Sequence, residues 1–151
     1  MKINTKYFDA IETEQDDIIR FPQGIFGFEG NTDYVIIKFD DGEDQDDEGL
    51  FCLQSTTDES LAFVLLNPFY IDREYDPIMS DDDYRTIGKT AEEDGLVYYA
   101  IVVVKDNFSE STVNMKCPIV INKESRKAKQ IILESDYSMK HPIMSPAEGG
   151  S

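Results

Sequence analysis

The sequence has few of the residue types on which most catalytic and metal sites depend. Its 151 residues include two cysteines and one histidine. Cys52 and Cys117 lie inside apolar runs and form no Cys-x-x-Cys pair, so we expect two reduced thiols in the core. His141 precedes Pro142 with no nucleophile motif around it, which favours a surface or packing role. With no phosphate-cradling glycine loop and no metal-spaced His/Cys cluster, we predict no catalytic residues, no metal ligands and no cofactor.

Basic residues are scarce. Fourteen Lys and Arg stand against 31 Asp and Glu, which gives a net charge of −17 at pH 7. Affinity for a nucleic-acid backbone comes mainly from Lys and Arg replacing counterions, so we expect no direct nucleic-acid binding. Carboxylates are abundant, and a small enzyme with an Asp/Glu acid–base pair stays a rival interpretation, although no single pair stands out.

Long hydrophobic runs are also missing. The longest, residues 96–104, has nine residues, about half of what a membrane helix needs. Polar and apolar side chains alternate over much of residues 1–7, which lack the apolar stretch of an export signal. We therefore expect a cytoplasmic protein that does not associate with membranes.

The chain does contain a series of short apolar runs that are rich in β-branched and aromatic side chains and bounded by turn residues. They cover residues 34–39, 50–54, 61–66, 96–104, 113–121 and 130–133. The last two runs are joined by the polar residues 122–127 and predict a hairpin. Ile3, Thr5 and Tyr7 lie at alternate positions and predict a first strand. Pro118 cannot donate to a ladder, so its segment is expected at a sheet edge or at a bulge.

One short helix is predicted near residues 80–88. Ser80 is a suitable N-cap with Asp83 three residues later, and Gly88 is a suitable stop. Residues 90–93 predict one further turn. Six or more strands with one helix indicate a mainly β fold, a small antiparallel β-barrel-like domain that is closed or nearly closed. A β-sandwich is the alternative. We expect one domain over residues 1–143 and a disordered C-terminal tail over residues 144–151.

Residues 40–48 are almost all acidic. From Asp44 the spacing begins like that of a calcium-binding loop, but Ser55 occupies the twelfth position, where such a loop needs a bidentate Glu. We therefore interpret the segment as a solvated loop between two strands.

Residues 21–29 contain three phenylalanines, one proline and two glycines, a composition typical of neither strand nor helix. Two interpretations stay open. The segment is either an irregular loop that closes one end of a barrel with aromatic side chains, or an aromatic patch for a partner.

Charge is unevenly spread along the chain. Residues 1–111 hold 27 acidic and 8 basic side chains, a net of −19, whereas residues 112–151 hold 4 and 6, a net of +2. The six basic side chains lie mostly around the predicted last hairpin, at Lys116, Lys123, Arg126, Lys127, Lys129 and Lys140. This basic hairpin is either an ordinary solvated face or a second partner surface of different charge.

A set of motifs runs through nearly the whole chain. It comprises Met-Lys-Ile-Asn-Thr-Lys-Tyr-Phe at 1–8, Phe-Pro-Gln-Gly-Ile-Phe-Gly-Phe-Glu at 21–29, Leu-Gln-Ser at 53–55, Ala-Phe-Val at 62–64, Asn-Pro-Phe at 67–69, Pro-Ile-Val-Ile-Asn at 118–122, Gln-Ile-Ile-Leu at 130–133, Tyr-Ser at 137–138 and His-Pro at 141–142. Together and in this order they resemble the FliW family of bacterial flagellar assembly factors. Phe26 stands where that family leads us to expect proline, and Ala128 where we expect glycine.

The resemblance implies a non-catalytic binding protein with a β-barrel-like fold and two protein partners. These are flagellin, bound in the cytoplasm, and CsrA, an RNA-binding translational regulator. In the mechanism that the resemblance implies, export of flagellin frees the FliW-type protein, which then captures CsrA and relieves repression of flagellin mRNA.

We expect partner contacts in the aromatic loop, at Phe26, Phe28 and Glu29, and in the last hairpin, at Ile119 and Asn122. Acidic side chains that repel RNA are expected in the loop at Asp40, Asp41, Glu43, Asp44, Asp46, Asp47 and Glu48. The rival binding function is an acidic nucleic-acid mimic that competes directly for the nucleic-acid site of its partner.

Overall fold

The computed structural model describes residues 1–39, 49–89 and 95–143. Its strands are β1 (Lys2–Ile3), β2 (Ile11–Glu12), β3 (Ile19–Arg20), β4 (Asp33–Lys38), β5 (Leu50–Ser55), β6 (Ala62–Leu66), β7 (Leu96–Val103), β8 (Thr112–Asn122), β9 (Lys127–Gln130) and β10 (His141–Pro142). One α-helix, α1, spans Asp81–Thr86, and short 3₁₀ helices cover Gln15–Asp17, Pro68–Tyr70 and Phe108–Glu110.

The strands from β3 to β9 form a closed barrel, which confirms the mainly β, barrel-like prediction over the sandwich. Hydrogen bonding follows the order β8–β7–β6–β5–β4–β3–β9, and β9 returns to pair with β8. All neighbours are antiparallel except β3 and β9, which are parallel at Arg20 and Lys127. Closing an odd number of strands that alternate in direction must leave one pair parallel. The Arg20 N–H donates to the Arg126 carbonyl at this seam, over 2.8 Å.

The barrel interior is apolar because alternate residues of every strand point inward. It is lined by Ile19, Phe21, Ile25, Tyr34, Phe51, Leu53, Leu61, Leu65, Ile119, Ile121 and Ala128, with Tyr99 and Ile101 packed against them. This set draws on all seven barrel strands and on the segment that follows β3.

A second apolar cluster covers the outer face of β6, β7 and β8. Val64, Val102 and Val120 contribute from the strands, and the chain between β6 and β7 supplies Tyr75 and Ile87. The Tyr75 hydroxyl donates to a carbonyl of β8, that of Met115, over 2.6 Å. The region around α1 is therefore packed onto the barrel wall.

The helix prediction is confirmed. The Asp83 N–H donates to Ser80 Oγ, and the Ser80 N–H donates to Asp83 Oδ2, each over 3.1 Å, which completes a capping box. Gly88 follows the helix with a φ of 77°. The further turn predicted over residues 90–93 lies outside the described residues, as does the predicted disordered tail.

Two strand predictions differ from the structure. The return strand of the last hairpin is β9, Lys127–Gln130, rather than residues 130–133. The reason is a tight turn in which Asn122 Oδ1 accepts from the N–H groups of Glu124 and Ser125, so the chain reverses early. The predicted first strand is limited to β1, because the Thr5 side chain accepts from the Phe8 N–H, over 2.9 Å, and turns the chain.

The prediction for Pro118 is confirmed as a bulge. Tyr99 pairs with Ile119 but Ile101 pairs with Asn114, so the register of β7 and β8 shifts between them. Asn114 Oδ1 accepts from the N–H groups of Lys116 and Cys117 inside the bulge. Cys117 and Cys52 are both buried and unpaired, as expected, and burial raises the pKa of Cys52 to about 11.

Candidate partner interface

Residues 21–29 form an irregular loop that is anchored in the barrel interior by Phe21 and Ile25. The loop closes tightly at Gly24, whose φ is +70° and where an added Cβ would lie 2.5 Å from the Glu29 Cα. The Phe28 N–H donates to the Ile25 carbonyl over 2.7 Å. Glycine at position 24 therefore determines the shape of the loop.

The same loop presents two aromatic side chains at the surface. Phe26 is 47% exposed and Phe28 is 43% exposed, and the adjacent Glu29 is also exposed. The Phe28 ring meets the Phe63 ring edge-on at 5.4 Å between centroids. Phe21 and Ile25 fill the barrel, as the first sequence interpretation expects. Phe26 and Phe28 are exposed, and their contact with a partner stays a prediction.

The two hairpin candidates are not on the surface. Ile119 is fully buried in the barrel interior. Asn122 is buried with its amide donating to the Ile87 carbonyl over 2.7 Å. Ile119 faces inward because it lies on the same strand face as Ile121, and Asn122 holds the turn in place. Neither side chain is available to contact a partner, which corrects the expectation for both positions.

The structure does not describe the acidic candidates, which are Asp40, Asp41, Glu43, Asp44, Asp46, Asp47 and Glu48.

One lysine of the basic hairpin forms ion pairs within the fold. Lys129 Nζ lies 2.7 Å from Asp83 Oδ1 and 3.4 Å from Asp82 Oδ2, which ties β9 to α1.

The Lys129–Asp83 pair is largely shielded from solvent, with both side chains less than one-sixth exposed. Burial acts to raise the pKa of Asp83, but the hydrogen bond from Lys129 and those from Ser80 outweigh it, so the pKa lies below its ordinary value. Burial acts to lower the pKa of Lys129, but the hydrogen bonds and charges of Asp83 and Asp82 raise it overall. Both groups are therefore charged at neutral pH.

Sequence reasoning missed two exposed apolar side chains beside the aromatic loop. Ile78 is 67% exposed and Ile132 is 62% exposed, and both line one groove with Phe26. Strand alternation held a usable signal for Ile132, because burying Ile131 and Leu133 must turn the residue between them outward. Ile78 carried no such pattern.

Among the described residues, no group of His, Cys, Asp and Glu is arranged to hold a metal ion. Within the same residues, no helix has the length and apolar character needed to span a membrane.

Comparison with known proteins gives a consistent result. A protein family described as FliW protein matches residues 2–143. Curated relatives named flagellar assembly factor FliW include one from Alkaliphilus metalliredigens, 40% identical, which aligns over 95% of this chain and 86% of its own length. One from Ruminiclostridium cellulolyticum is 36% identical over 95% of each chain. One from Shouchella clausii is 30% identical over 99% of each chain.

A solved structure supports the same relationship. The crystal structure of the flagellar assembly factor FliW superposes with a TM-score of 0.84 at 35% identity, and covers 96% of this chain and 98% of its own. The fold and the sequence of this chain are therefore both similar to those of a known protein. This chain belongs to the FliW family of flagellar assembly factors.

Proposed function

We propose that this chain is a cytoplasmic, non-catalytic regulator that binds flagellin and, when flagellin is exported, binds CsrA and relieves repression of flagellin mRNA translation. The observation that carries the proposal is membership of the flagellar assembly factor family. The net charge of −17 adds a physical means of acting on an RNA-binding protein.

The charge explains how RNA release would work. CsrA must hold the RNA backbone on a basic surface, so an acidic protein docked beside that surface weakens RNA binding by repulsion. Screening at physiological salt acts over about 8 Å, so only carboxylates close to the RNA path contribute. The acidic segment 40–48 is the candidate for this role.

The exposed patch of Phe26, Phe28 and Glu29 is the proposed contact for a protein partner. Aromatic side chains bury a large apolar area with few rotatable bonds and are enriched among the residues that dominate binding energy. Substituting Phe26 and Phe28 with Ser removes that area while Phe21 and Ile25 still anchor the loop.

The direct test is binding of the purified chain to flagellin and to CsrA from the same bacterium, each measured separately by calorimetry. We expect both complexes, and loss of at least tenfold in affinity for one of them in the variant carrying Phe26→Ser and Phe28→Ser. If the chain fails to bind flagellin, or fails to bind CsrA, the proposal is wrong.

The role of the acidic segment needs a control matched in charge. The test variant converts the seven acids of residues 40–48 to their amides. The control converts seven exposed acids elsewhere: Asp9, Glu12, Asp16, Glu59, Glu74, Asp106 and Glu110. Displacement of labelled RNA from CsrA is measured at several salt concentrations. If the two variants displace RNA equally well, position does not matter and the segment only adds solubility.

The second candidate function, a nucleic-acid mimic, is favoured by the same acidity but predicts a different response to RNA. A mimic occupies the RNA site, so the apparent Kd of CsrA for RNA rises without limit as the concentration of this chain increases. Repulsion from an adjacent surface is a finite coupling, so the apparent Kd for RNA levels off once CsrA is saturated with this chain.

A further inference from the structure

A groove of about 400 Å³ lies between the aromatic loop, the residues before α1 and the residues after β9. Three large apolar side chains on it are mostly or half exposed, those of Phe26, Ile78 and Ile132. The buried Met79 and Ile131 also line it. Single exposed apolar residues are normal on a protein surface, but several on one concave surface indicate a binding site.

The groove also contains an open strand edge. The Ile131 N–H donates to the Pro118 carbonyl and the Leu133 N–H to the Lys116 carbonyl, each over 2.9 Å. Because alternate residues of an extended chain direct their backbone groups to opposite sides, the N–H and C=O of Ile132 face away from β8. The N–H of Ile132 has no hydrogen bond to any group in the described part of the chain.

The edge at Ile132 is open because β3, the strand that pairs with β9 on that side, ends early. β3 pairs with β9 only at Lys127, and the chain then leaves as the aromatic loop. Gln130 fixes that loop, because its Oε1 accepts from the Phe26 N–H over 3.0 Å and its Nε2 donates to the Cys117 carbonyl over 3.2 Å. The groove is therefore preformed, with its wall held by a buried side chain.

The charges around the groove determine what it can attract. Lys129 is occupied by Asp82 and Asp83. Glu134 lies on the groove and is exposed. Asp82 also lies 3.9 Å from the Arg85 guanidinium, which offsets its charge. The charged side chains that line the groove are Asp83, Glu134 and Lys129, so its lining carries a net negative charge.

We propose that this groove binds an extended segment of a partner protein, which adds a strand beside Ile132 and carries apolar side chains at alternate positions with Lys or Arg between them. Backbone hydrogen bonds to the open edge supply affinity, and the apolar side chains and net negative charge of the groove supply specificity. This proposal rests on the proposed function in one respect, because it names the surface that would hold a protein partner. A second copy of this chain is a poor occupant, because two chains of charge −17 repel each other.

Substitutions at Ile132 separate backbone from side-chain recognition. Ile132→Pro removes the outward N–H but keeps an apolar side chain, and it breaks no hydrogen bond of that N–H within the described residues. Ile132→Val is the matched control, because it keeps both the outward N–H and an apolar side chain. A double variant, Ile78→Asp with Ile132→Asp, makes the groove polar, and Val103→Asp is its control at an exposed apolar residue of β7.

The probe is a phage-displayed library of random nine-residue peptides selected on the immobilised chain. We expect enriched peptides that alternate apolar and basic residues. Their affinity should fall at least tenfold in Ile132→Pro and in the double variant, and stay within twofold in Ile132→Val and Val103→Asp. Circular dichroism melting of each variant confirms that it is folded.

Several outcomes would overturn the inference. Equal peptide binding by Ile132→Pro and Ile132→Val rules out strand addition, and equal binding by the double variant rules out the groove. An absence of enriched peptides, or a concentration-dependent dimer abolished by Ile132→Pro, also overturns it.

The same variants are tested against flagellin and CsrA, which separates this inference from the proposed function. If the wild-type chain binds neither protein, the proposed function fails while the peptide selection still decides the groove. If it binds one of them with unchanged affinity in every groove variant, the function stands and the groove is not the docking surface.

Discussion

At the scale of single residues, the aromatic loop depends on the absence of a side chain at Gly24. Gly24 combines a positive φ with close approach to the Glu29 backbone, whereas Gly27 has a φ of +88° and no atom within 4 Å of an added Cβ. The two positions therefore separate backbone strain from steric exclusion within one loop.

We predict that Gly24→Ala destabilises the fold by more than about 2 kcal/mol, because the backbone strain and a clash with backbone atoms add. Gly27→Ala should cost only about 1 kcal/mol, from the strain alone. Urea unfolding of both variants checks this. Equal losses would mean that the approach to Glu29 does not constrain the loop.

Two buried tyrosines provide a second residue-scale comparison. Burial, followed by the charge of Asp58, raises the pKa of Tyr34 to about 12, and its hydroxyl has no hydrogen-bond partner in the described part of the chain. The Tyr75 hydroxyl donates to the Met115 carbonyl. An unpaired buried polar group costs free energy, whereas a paired one contributes.

We therefore expect Tyr34→Phe to raise the free energy of unfolding by about 1 kcal/mol and Tyr75→Phe to lower it by about 1 kcal/mol. Both substitutions remove one oxygen atom from a buried ring, so each controls for the other. Urea denaturation at pH 7 measures both. Destabilisation of similar size in the two variants would contradict the argument.

At the scale of elements, the ion pair of Asp83 and Lys129 joins α1 to β9. The folded-state pKa of Asp83 is lowered, so its contribution is complete above the unfolded-state value of about 3.9 and is lost as the pH falls through the folded-state pKa. The pKa of Lys129 is raised, so its contribution persists below about pH 10 and is lost only as the pH rises through its folded-state value.

Asp83→Asn should destabilise the protein by about 2 kcal/mol at pH 7, because a shielded hydrogen bond between charged groups is lost. The difference from the wild type should shrink as the pH falls below about 4. Asp81→Asn, an exposed change in the same helical turn, is the control and should have little effect. Urea midpoints between pH 3 and pH 7 measure both, and a difference that stays constant over that range would refute the assignment.

At the scale of the whole molecule, the charge of −17 opposes the compact state through self-repulsion. Added salt screens this repulsion, because the Debye length falls from about 30 Å at 0.01 M to about 10 Å at 0.1 M. The same net charge opposes self-association and attracts proteins with basic surfaces, which links the composition of the chain to its proposed role.

We expect the midpoint of thermal unfolding to rise with NaCl between about 0.01 M and about 0.3 M. The variant with the seven acids of residues 40–48 neutralised should show a smaller rise, because less repulsion remains to be screened. Scanning calorimetry at fixed pH measures both curves. A midpoint that is independent of salt would show that the acidic residues are too far apart to repel.

Most of the fold followed from patterns that act over a few residues. Strand periodicity located β4 to β8, and the Ser80 cap and Gly88 located α1. The misplaced return strand had a local cause that composition does not show, since Asn122 turns the chain early. Among the predicted partner contacts, Phe26 and Phe28 are exposed and stay predictions, whereas Ile119 and Asn122 are buried because their side chains face the barrel interior and the hairpin turn.

What the sequence determined by itself is the order of β4 to β8 and α1, the acidic character and the family, because propensity, capping, charge and motifs are properties of neighbouring residues. It did not predict β2, β3 or β10. The tertiary structure decided which face of each strand is buried, the parallel seam of β3 and β9, and the groove. That groove brings together Phe26, Ile78 and Ile132, and each of these is more than fifty residues from the next along the chain. No local pattern can encode such an approach, since it depends on barrel closure and on where β3 stops pairing.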